Sequence, residues 1–172
     1  DAATKASLPK NIFQFLHLDH TSTSRVISDS RINHVLFTGS VSGGKEVKKS
    51  IGTRFIGAGL ELGGKDPAYV RSDCNLEHAI ENLVDGSYFN SGQSCCGIER
   101  IYVDEKVYDK FIDGFKSVTE KYILGNPLEE NTNLGPVVRI NAAKFIRTQV
   151  TEALNNGAKN IIDSNIFKAD DG

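Results

Sequence analysis

Apolar residues recur along this chain in two rhythms. Short apolar runs alternate with longer stretches in which apolar side chains return every three or four positions. The first pattern predicts strands and the second predicts amphipathic helices. Residues 11–18 read as a strand after Pro9, and residues 21–29 as a short helix. A second strand is predicted over 32–37, ended by Thr38-Gly39-Ser40, and helical character follows over 42–50. Residues 54–62 are mostly extended and run into Gly63-Gly64.

The strongest helical signal comes next. Leu76, Ala79, Ile80, Leu83, Val84 and Tyr88 share one helical face, and Asp73 or Asn75 can cap its start. Residues 100–103 form another predicted strand. An amphipathic helix over 107–122 turns Phe111, Ile112, Phe115, Val118 and Tyr122 inward before Gly125-Asn126-Pro127 breaks it. A further helix over 141–154 closes at Asn156-Gly157, and residues 160–162 read as a strand. Strands that alternate with helices imply an α/β architecture with mainly parallel strands. The Gly63-Gly64 pair is the expected boundary between two lobes.

Charge and length narrow the function classes. With 172 residues the chain can bury a real core, and its formal net charge of -2 offers no basic excess for nucleic-acid phosphates. No apolar run approaches the roughly 20 residues that span a bilayer. Neither nucleic acid nor membrane is therefore an expected partner. The opening residues lack the basic and apolar regions of a signal peptide. A start at Asp1 and an end at Asp170-Asp171-Gly172 without a closing element suggest a piece of a longer protein.

Three cysteines, Cys74, Cys95 and Cys96, make an odd count with no CxxC spacing, which argues against a disulfide framework or a zinc site. Reduced thiols in an intracellular compartment, cytoplasmic or mitochondrial, are the expectation. His17, His20, His34 and His78 have no metal-ligand spacing, so no metal is expected. Lys45, Lys48 and Lys49 read as a solvated helix face.

Three segments carry candidate chemistry. Phe37-Thr38-Gly39-Ser40-Val41-Ser42-Gly43-Gly44 follows a strand and opens a helix. Glycines there let a backbone approach closely, and N–H groups at a helix start favour phosphate. It departs from GxGxxG, and a tight turn without a ligand explains it as well. Glu61 ends an apolar run beside two glycines, a place suited to a general base or to a solvated carboxylate. Asn90-Ser91-Gly92-Gln93-Ser94-Cys95-Cys96-Gly97 sets a thiol after a bend that could expose it. Composition alone leaves Cys95 and Cys96 both open as the nucleophile, while Cys74 reads as inert.

In this order, the three segments resemble the aldehyde dehydrogenase superfamily. Phe37-Thr38-Gly39-Ser40 with Gly44 is similar to its cofactor-phosphate turn, F-T-G-S-x-x-x-G. Glu61-Leu62-Gly63-Gly64-Lys65-Asp66-Pro67 is similar to its glutamate signature, and Asn90-Ser91-Gly92-Gln93-Ser94-Cys95 to its cysteine signature, N-x-G-Q-x-C. Gly125-Asn126-Pro127 and Leu134-Gly135-Pro136 also match, so the resemblance covers nearly the whole chain.

The resemblance implies an α/β fold made of part of a Rossmann-like cofactor domain, residues 1–63, joined to part of an α/β catalytic domain, residues 64–172. It implies Cys95, not Cys96, as the nucleophile and Glu61 as the base that hydrolyses a thioester. Gly39, Ser40, Gly44, Leu62 and Gly63 would lie by the cofactor, NAD or NADP. The substrate would be a small aldehyde, oxidised to a carboxylic acid through a thiohemiacetal and a thioester. The parent would be a homo-oligomer, dimer or tetramer. Family members are roughly three times as long, so this chain alone is expected to be inactive. A non-catalytic structural or interaction subunit, or a CoA-acylating enzyme, stands as the alternative. The presence of Glu61 weighs against the latter.

Overall fold

The computed structural model describes residues 2–167. The chain divides into two compact units, with the break between Leu62 and Gly63.

The first unit contains α1 (Ala2–Lys5), α2 (His20–Ser28), β1 (His34–Thr38), α3 (Val41–Ile51) and β2 (Gly57–Glu61). Asp19 starts α2 by accepting the Ser22 N–H at 2.6 Å, which satisfies one of the helix's unpaired donors. Strands β1 and β2 pair in parallel from His34↔Gly57 to Thr38↔Glu61, and α3 makes the crossover. Such a parallel pair needs a long connection, and a helix of 11 residues supplies it.

Alternation along β1 decides what is buried. Val35 and Phe37 join Ile27, Val47 and Ile51 in an apolar cluster beneath the helices, with Ile56, Ala58 and Leu60. On the opposite face, the His34 and Leu36 side chains lie over Gly57 and Gly59, where a Cβ would come within 2.8 Å and 2.7 Å of them. Arg54 fastens the connections. Its guanidinium donates to the Ile27 carbonyl at 2.7 Å and also to the Ile32 carbonyl.

The second unit contains β3 (Asp66–Val70), α4 (Leu76–Tyr88), β4 (Ile98–Val103), α5 (Tyr108–Thr119) and α6 (Ile140–Asn155). Strands β3 and β4 are again parallel, joined by α4. Asn75, not Asp73, caps α4 by accepting the His78 N–H at 3.2 Å. Val70, Ile80, Val84 and Phe111 form the buried core, and Leu76, Leu83, Tyr88, Phe115 and Tyr122 pack against it. Burial of Phe111 contributes roughly 2–3 kcal/mol by area removed from water. Its ring stands 5.6 Å from Phe115, and Tyr88 bridges Phe115 and Tyr122 at 6.1 Å and 5.9 Å.

Four points of the sequence reading need correction. Residues 11–18 form no strand: they run as irregular chain with Phe13 and Phe15 about four-fifths exposed. Apolar content signals a wish for burial, but a strand also needs a neighbour to take its N–H and C=O groups, and this segment has none among the described residues. Residues 160–162 are irregular for the same reason. Strand β3 was not expected, because Asp66-Pro67 opens it and proline cannot donate to a ladder. The pairing register shifts between Asp66 and Pro67, so the proline sits at an irregularity where its missing N–H does no harm. The predicted helix over 107–122 is shorter, ending at Thr119. The Asp170-Asp171 turn lies outside the described residues.

Candidate functional site

In the first unit the glycine turn joins the end of β1 to the start of α3. Ser40 is the N-cap: its hydroxyl accepts the Gly43 N–H at 3.0 Å and lies 2.9 Å from the Ser42 hydroxyl. The Gly39 N–H donates to the Glu61 carbonyl at 2.9 Å, which ties the turn to the end of β2. Gly39, Ser40 and Glu61 thus meet at the carboxyl ends of two parallel strands. Open α/β sheets bind ligands at such edges, and an α-helix that starts there presents N–H groups and a positive dipole end.

The glycines have a structural use as well. A Cβ on Gly39 or Gly43 would come within 2.7 Å and 2.6 Å of the Phe37 ring, and one on Gly44 within 2.8 Å of Leu62. Phe37 therefore fills the underside of the turn, and Leu62 closes on buried Gly44. These glycines make room for the protein's own side chains, while the helix-start N–H groups remain the feature that suits an anionic phosphate. The Glu61 carboxylate is exposed and has no hydrogen-bond or ion-pair partner among the described residues.

In the second unit α4 runs into a 3-10 turn, Phe89–Gly92, before the cysteines. Asn90, Ser91 and Gly92 all take left-handed backbone angles, with φ of 52°, 58° and 72°. Asparagine and glycine enter this region readily, whereas serine pays about 1–2 kcal/mol. Side chains hold the shape. Asn90 Nδ2 donates to the Gln93 carbonyl at 3.1 Å, and Gln93 Nε2 returns a bond to the Asn90 carbonyl at 2.9 Å. The Ser91 hydroxyl donates to the Gly135 carbonyl, and Gln93 Oε1 accepts the Val138 N–H at 2.8 Å.

Cys95 and Cys96 then occupy the two corners of a β-turn closed by the Gly97 N–H on the Ser94 carbonyl at 3.3 Å. Both thiols are exposed, and Cys96 Sγ lies 3.2 Å from the Ser94 hydroxyl. Gly64 backs this turn so closely that a Cβ would overlap the Cys95 carbonyl oxygen, whereas Gly63 faces open space. Lys65 pairs with Glu99 just beyond the turn.

Of the sequence-predicted residues, Gly39, Ser40, Gly44, Leu62 and Glu61 gather in the first unit, and Gly63 and Cys95 belong to the second. Sequence reasoning held Asn90 and Gln93 as part of the cysteine motif, and their bonds shape its loop. It missed the part played by Gly135 and Val138, whose only local signal was the Leu134-Gly135-Pro136 match. A cavity of about 840 Å³ lies elsewhere in the second unit, lined by Tyr108, Phe111, Phe115, Val150 and Phe167. None of the residues of the cysteine turn line it, so its size does not make it the candidate site. No cluster of three or more potential metal ligands and no helix long and apolar enough to cross a membrane occur among the described residues.

Comparisons with known proteins fit this arrangement. The NAD(P)+ succinate semialdehyde dehydrogenase of Escherichia coli strain K12 is 34% identical over 154 residues, which cover 90% of this chain and 33% of that protein. Among solved structures, the NADP-dependent glyceraldehyde-3-phosphate dehydrogenase of Bacillus halodurans C-125, complexed with NADP, superposes with a TM-score of 0.84. It is 31% identical over 92% of this chain and 33% of that one. The NAD-dependent aldehyde dehydrogenase of Sinorhizobium meliloti gives a TM-score of 0.86 at 30% identity, over 91% of this chain and 31% of that one. The chain spans about a third of the length of the curated relatives it matches. The family model described as "Aldehyde dehydrogenase family" matches residues 1–172, and the chain belongs to that family.

Proposed function

We propose that the protein to which this sequence belongs oxidises a small aldehyde to a carboxylic acid with NAD(P)+, and that Cys95 is its nucleophile. The observation that carries the reading is the Cys95 turn itself: an exposed thiol on a loop fixed by Asn90, Ser91 and Gln93 and backed by Gly64. Rigid positioning of a nucleophile is what lets it attack productively. The Cys95 thiolate adds to the aldehyde carbon to give a thiohemiacetal. The Cys95 N–H, which has no acceptor among the described residues, is available to the oxyanion.

Gly39, Ser40, Gly44, Leu62 and Gly63 would hold the cofactor, with the N-terminus of α3 toward its phosphates. The nicotinamide of a bound cofactor would supply the hydride acceptor. The thioester left on Cys95 is hydrolysed by water that Glu61 deprotonates, a role that its unpaired carboxylate at a strand end suits. NAD and NADP both fit, since relatives that use each are equally similar. In this reading residues 1–63 contribute to the cofactor domain and 64–172 to the catalytic domain. The parent acts as a homo-oligomer, dimer or tetramer, in the cytoplasm or the mitochondrion.

A cofactor-free test uses an activated aryl acetate as an acyl donor. We expect acetylation of Cys95 in preference to Cys74 and Cys96, as located by peptide mapping. Cys95→Ala should abolish it, while Cys96→Ala should leave it. Equal acetylation of all three thiols would overturn Cys95 as the nucleophile.

A further inference from the structure

We infer that Ser91 is a positioning residue for Cys95. Its hydroxyl holds a backbone turn that a serine would otherwise leave, and that turn sets where the Cys95 backbone stands. The inference rests on the reading of Cys95 as the nucleophile.

Ser91 is the weak link in its loop. Asn90, Ser91 and Gly92 take φ of 52°, 58° and 72° in succession. Glycine enters the left-handed region without steric penalty, and asparagine is enriched there. Serine has no such ease: its Cβ crowds the following carbonyl oxygen, at a cost comparable to one net hydrogen bond. Ser91 makes one such bond. Its hydroxyl, on a half-buried side chain, donates to the Gly135 carbonyl across 44 residues of sequence. Cost and bond nearly cancel, so loss of the hydroxyl tips this residue out of the left-handed region.

The acceptor is itself fastened. The Gly125 N–H donates to the Leu134 carbonyl at 3.2 Å, and the Leu134 N–H donates to the Ile123 carbonyl at 3.2 Å. Asn133 Oδ1 accepts the Ile123 N–H at 2.6 Å. Pro127 lies against Gly135, 3.5 Å from where a Cβ would stand. The Gly135 carbonyl is thus a fixed post to which Ser91 ties the cysteine loop.

The tie reaches Cys95 through close backbone packing. A Cβ on Gly92 would stand 3.6 Å from the Ser87 carbonyl oxygen, in the last turn of α4. One on Gly97 would stand 3.7 Å from the Gly92 carbonyl oxygen. Buried Gly97 closes the turn whose first corner is Cys95. A rotation at Ser91 drives the Gly92 carbonyl against Gly97 and displaces that turn. The Cys95 N–H moves with it, and a misplacement of about 1 Å is enough to slow a positioned reaction markedly.

The activated aryl acetate that reads Cys95 also reads this role, with exposed Cys74, beyond the other end of β3, as the reference thiol. Peptide mapping of the 172-residue chain gives the ratio of Cys95 to Cys74 acetylation. Ser91→Ala keeps the Cβ penalty and loses the bond, so it should lower the ratio about three- to tenfold, the equivalent of one such bond. Ser91→Gly loses bond and penalty together. It should lower the ratio only about twofold, because glycine takes positive and negative φ about equally. Ser91 lies outside the buried core of Val70, Ile80, Val84 and Phe111, so both variants should keep the fold, which circular dichroism checks. The Ser91→Gly arm stands should Ser91→Ala unfold. A serine that only stabilised the loop would lower the melting temperature of its variants and leave the ratio alone, and that result in either folded variant overturns the inference. So would a larger fall in Ser91→Gly than in Ser91→Ala. Should the unaltered chain acetylate Cys95 no faster than Cys74, the nucleophile reading falls and the positioning role with it. Should it prefer Cys95 and Ser91→Ala match it, only the positioning role falls.

Discussion

The side-chain carbonyl of Gln93 accepts the backbone N–H of Val138 at 2.8 Å, across 45 residues of sequence. The same side chain donates to Asn90 at 2.9 Å. One glutamine therefore joins the Cys95 loop to the segment before α6. Gln93→Leu removes both bonds, each worth about 0.5–1.5 kcal/mol net. We expect a loss of about 1–2 kcal/mol in the second unit and faster amide exchange at Val138. Gln93→Glu keeps an acceptor for Val138 but loses the donation to Asn90, so exchange at Val138 should stay slow. Rapid exchange at Val138 in the unaltered chain would contradict the bond.

Adjacent glycines should respond oppositely to the same substitution. A Cβ at Gly64 would overlap the Cys95 carbonyl oxygen, a backbone atom that cannot swing aside, whereas Gly63 has nothing within 4 Å. Gly64→Ala should shift the cysteine turn and cost about 1–3 kcal/mol, in the range of other overpacking changes. Gly63→Ala should be neutral within about 0.5 kcal/mol. Urea denaturation followed by the Tyr88 and Tyr122 signals of the second unit would distinguish the two. Equal midpoints for the two variants would disprove the close approach.

Helices were the most legible part of the sequence, because an apolar face records itself locally. Leu76, Ile80, Leu83, Val84 and Tyr88 were read as one face, and they pack in one core. Strands were legible only where partners existed. Residues 11–18 have the composition of a strand and no ladder, while β3 has a ladder despite Pro67. The candidate site shows the same division. Cys95, Glu61 and the glycine turn stand in contiguous motifs. The Gln93–Val138 bond, the Phe37 ring beneath Gly39 and Gly43, and the contact of Gly64 with Cys95 depend on the folded path and leave no local periodicity.

Ser40 offers a way to separate stability from cofactor binding. Its hydroxyl caps α3 by accepting the Gly43 N–H at 3.0 Å. Ser40→Ala should cost about 1 kcal/mol, the usual value of such a cap. Ser40→Asp supplies another good cap and should keep most of that stability. Its negative charge would, however, face the phosphates proposed to bind at the same helix start. We expect Ser40→Asp to match the unaltered chain in thermal melts while losing NAD(P)+ binding by calorimetry in a full-length relative with the equivalent change. Retained binding in that variant would move the phosphate site elsewhere.

Acid should find a weak point at the end of α2. The Asp29 carboxylate accepts bonds from the Arg31 side chain at 2.8 Å through both oxygens and from the Arg31 backbone N–H at 2.9 Å. These bonds, with the charges of Arg31 and Arg54, hold its carboxyl well below the usual carboxylate range. A carboxyl with a lowered folded-state value binds its proton more readily when unfolded. Its stabilising contribution is therefore complete above about pH 4, the ordinary aspartate value, and is lost as the pH falls through the lowered one. Asp29→Asn should destabilise the first unit at pH 7. The difference from the unaltered chain should shrink steadily below pH 4, because protonation makes the two side chains alike. Paired thermal melts between pH 7 and pH 2 would read this convergence, and a difference that stayed constant with pH would show that the pair contributes no charge-dependent stability.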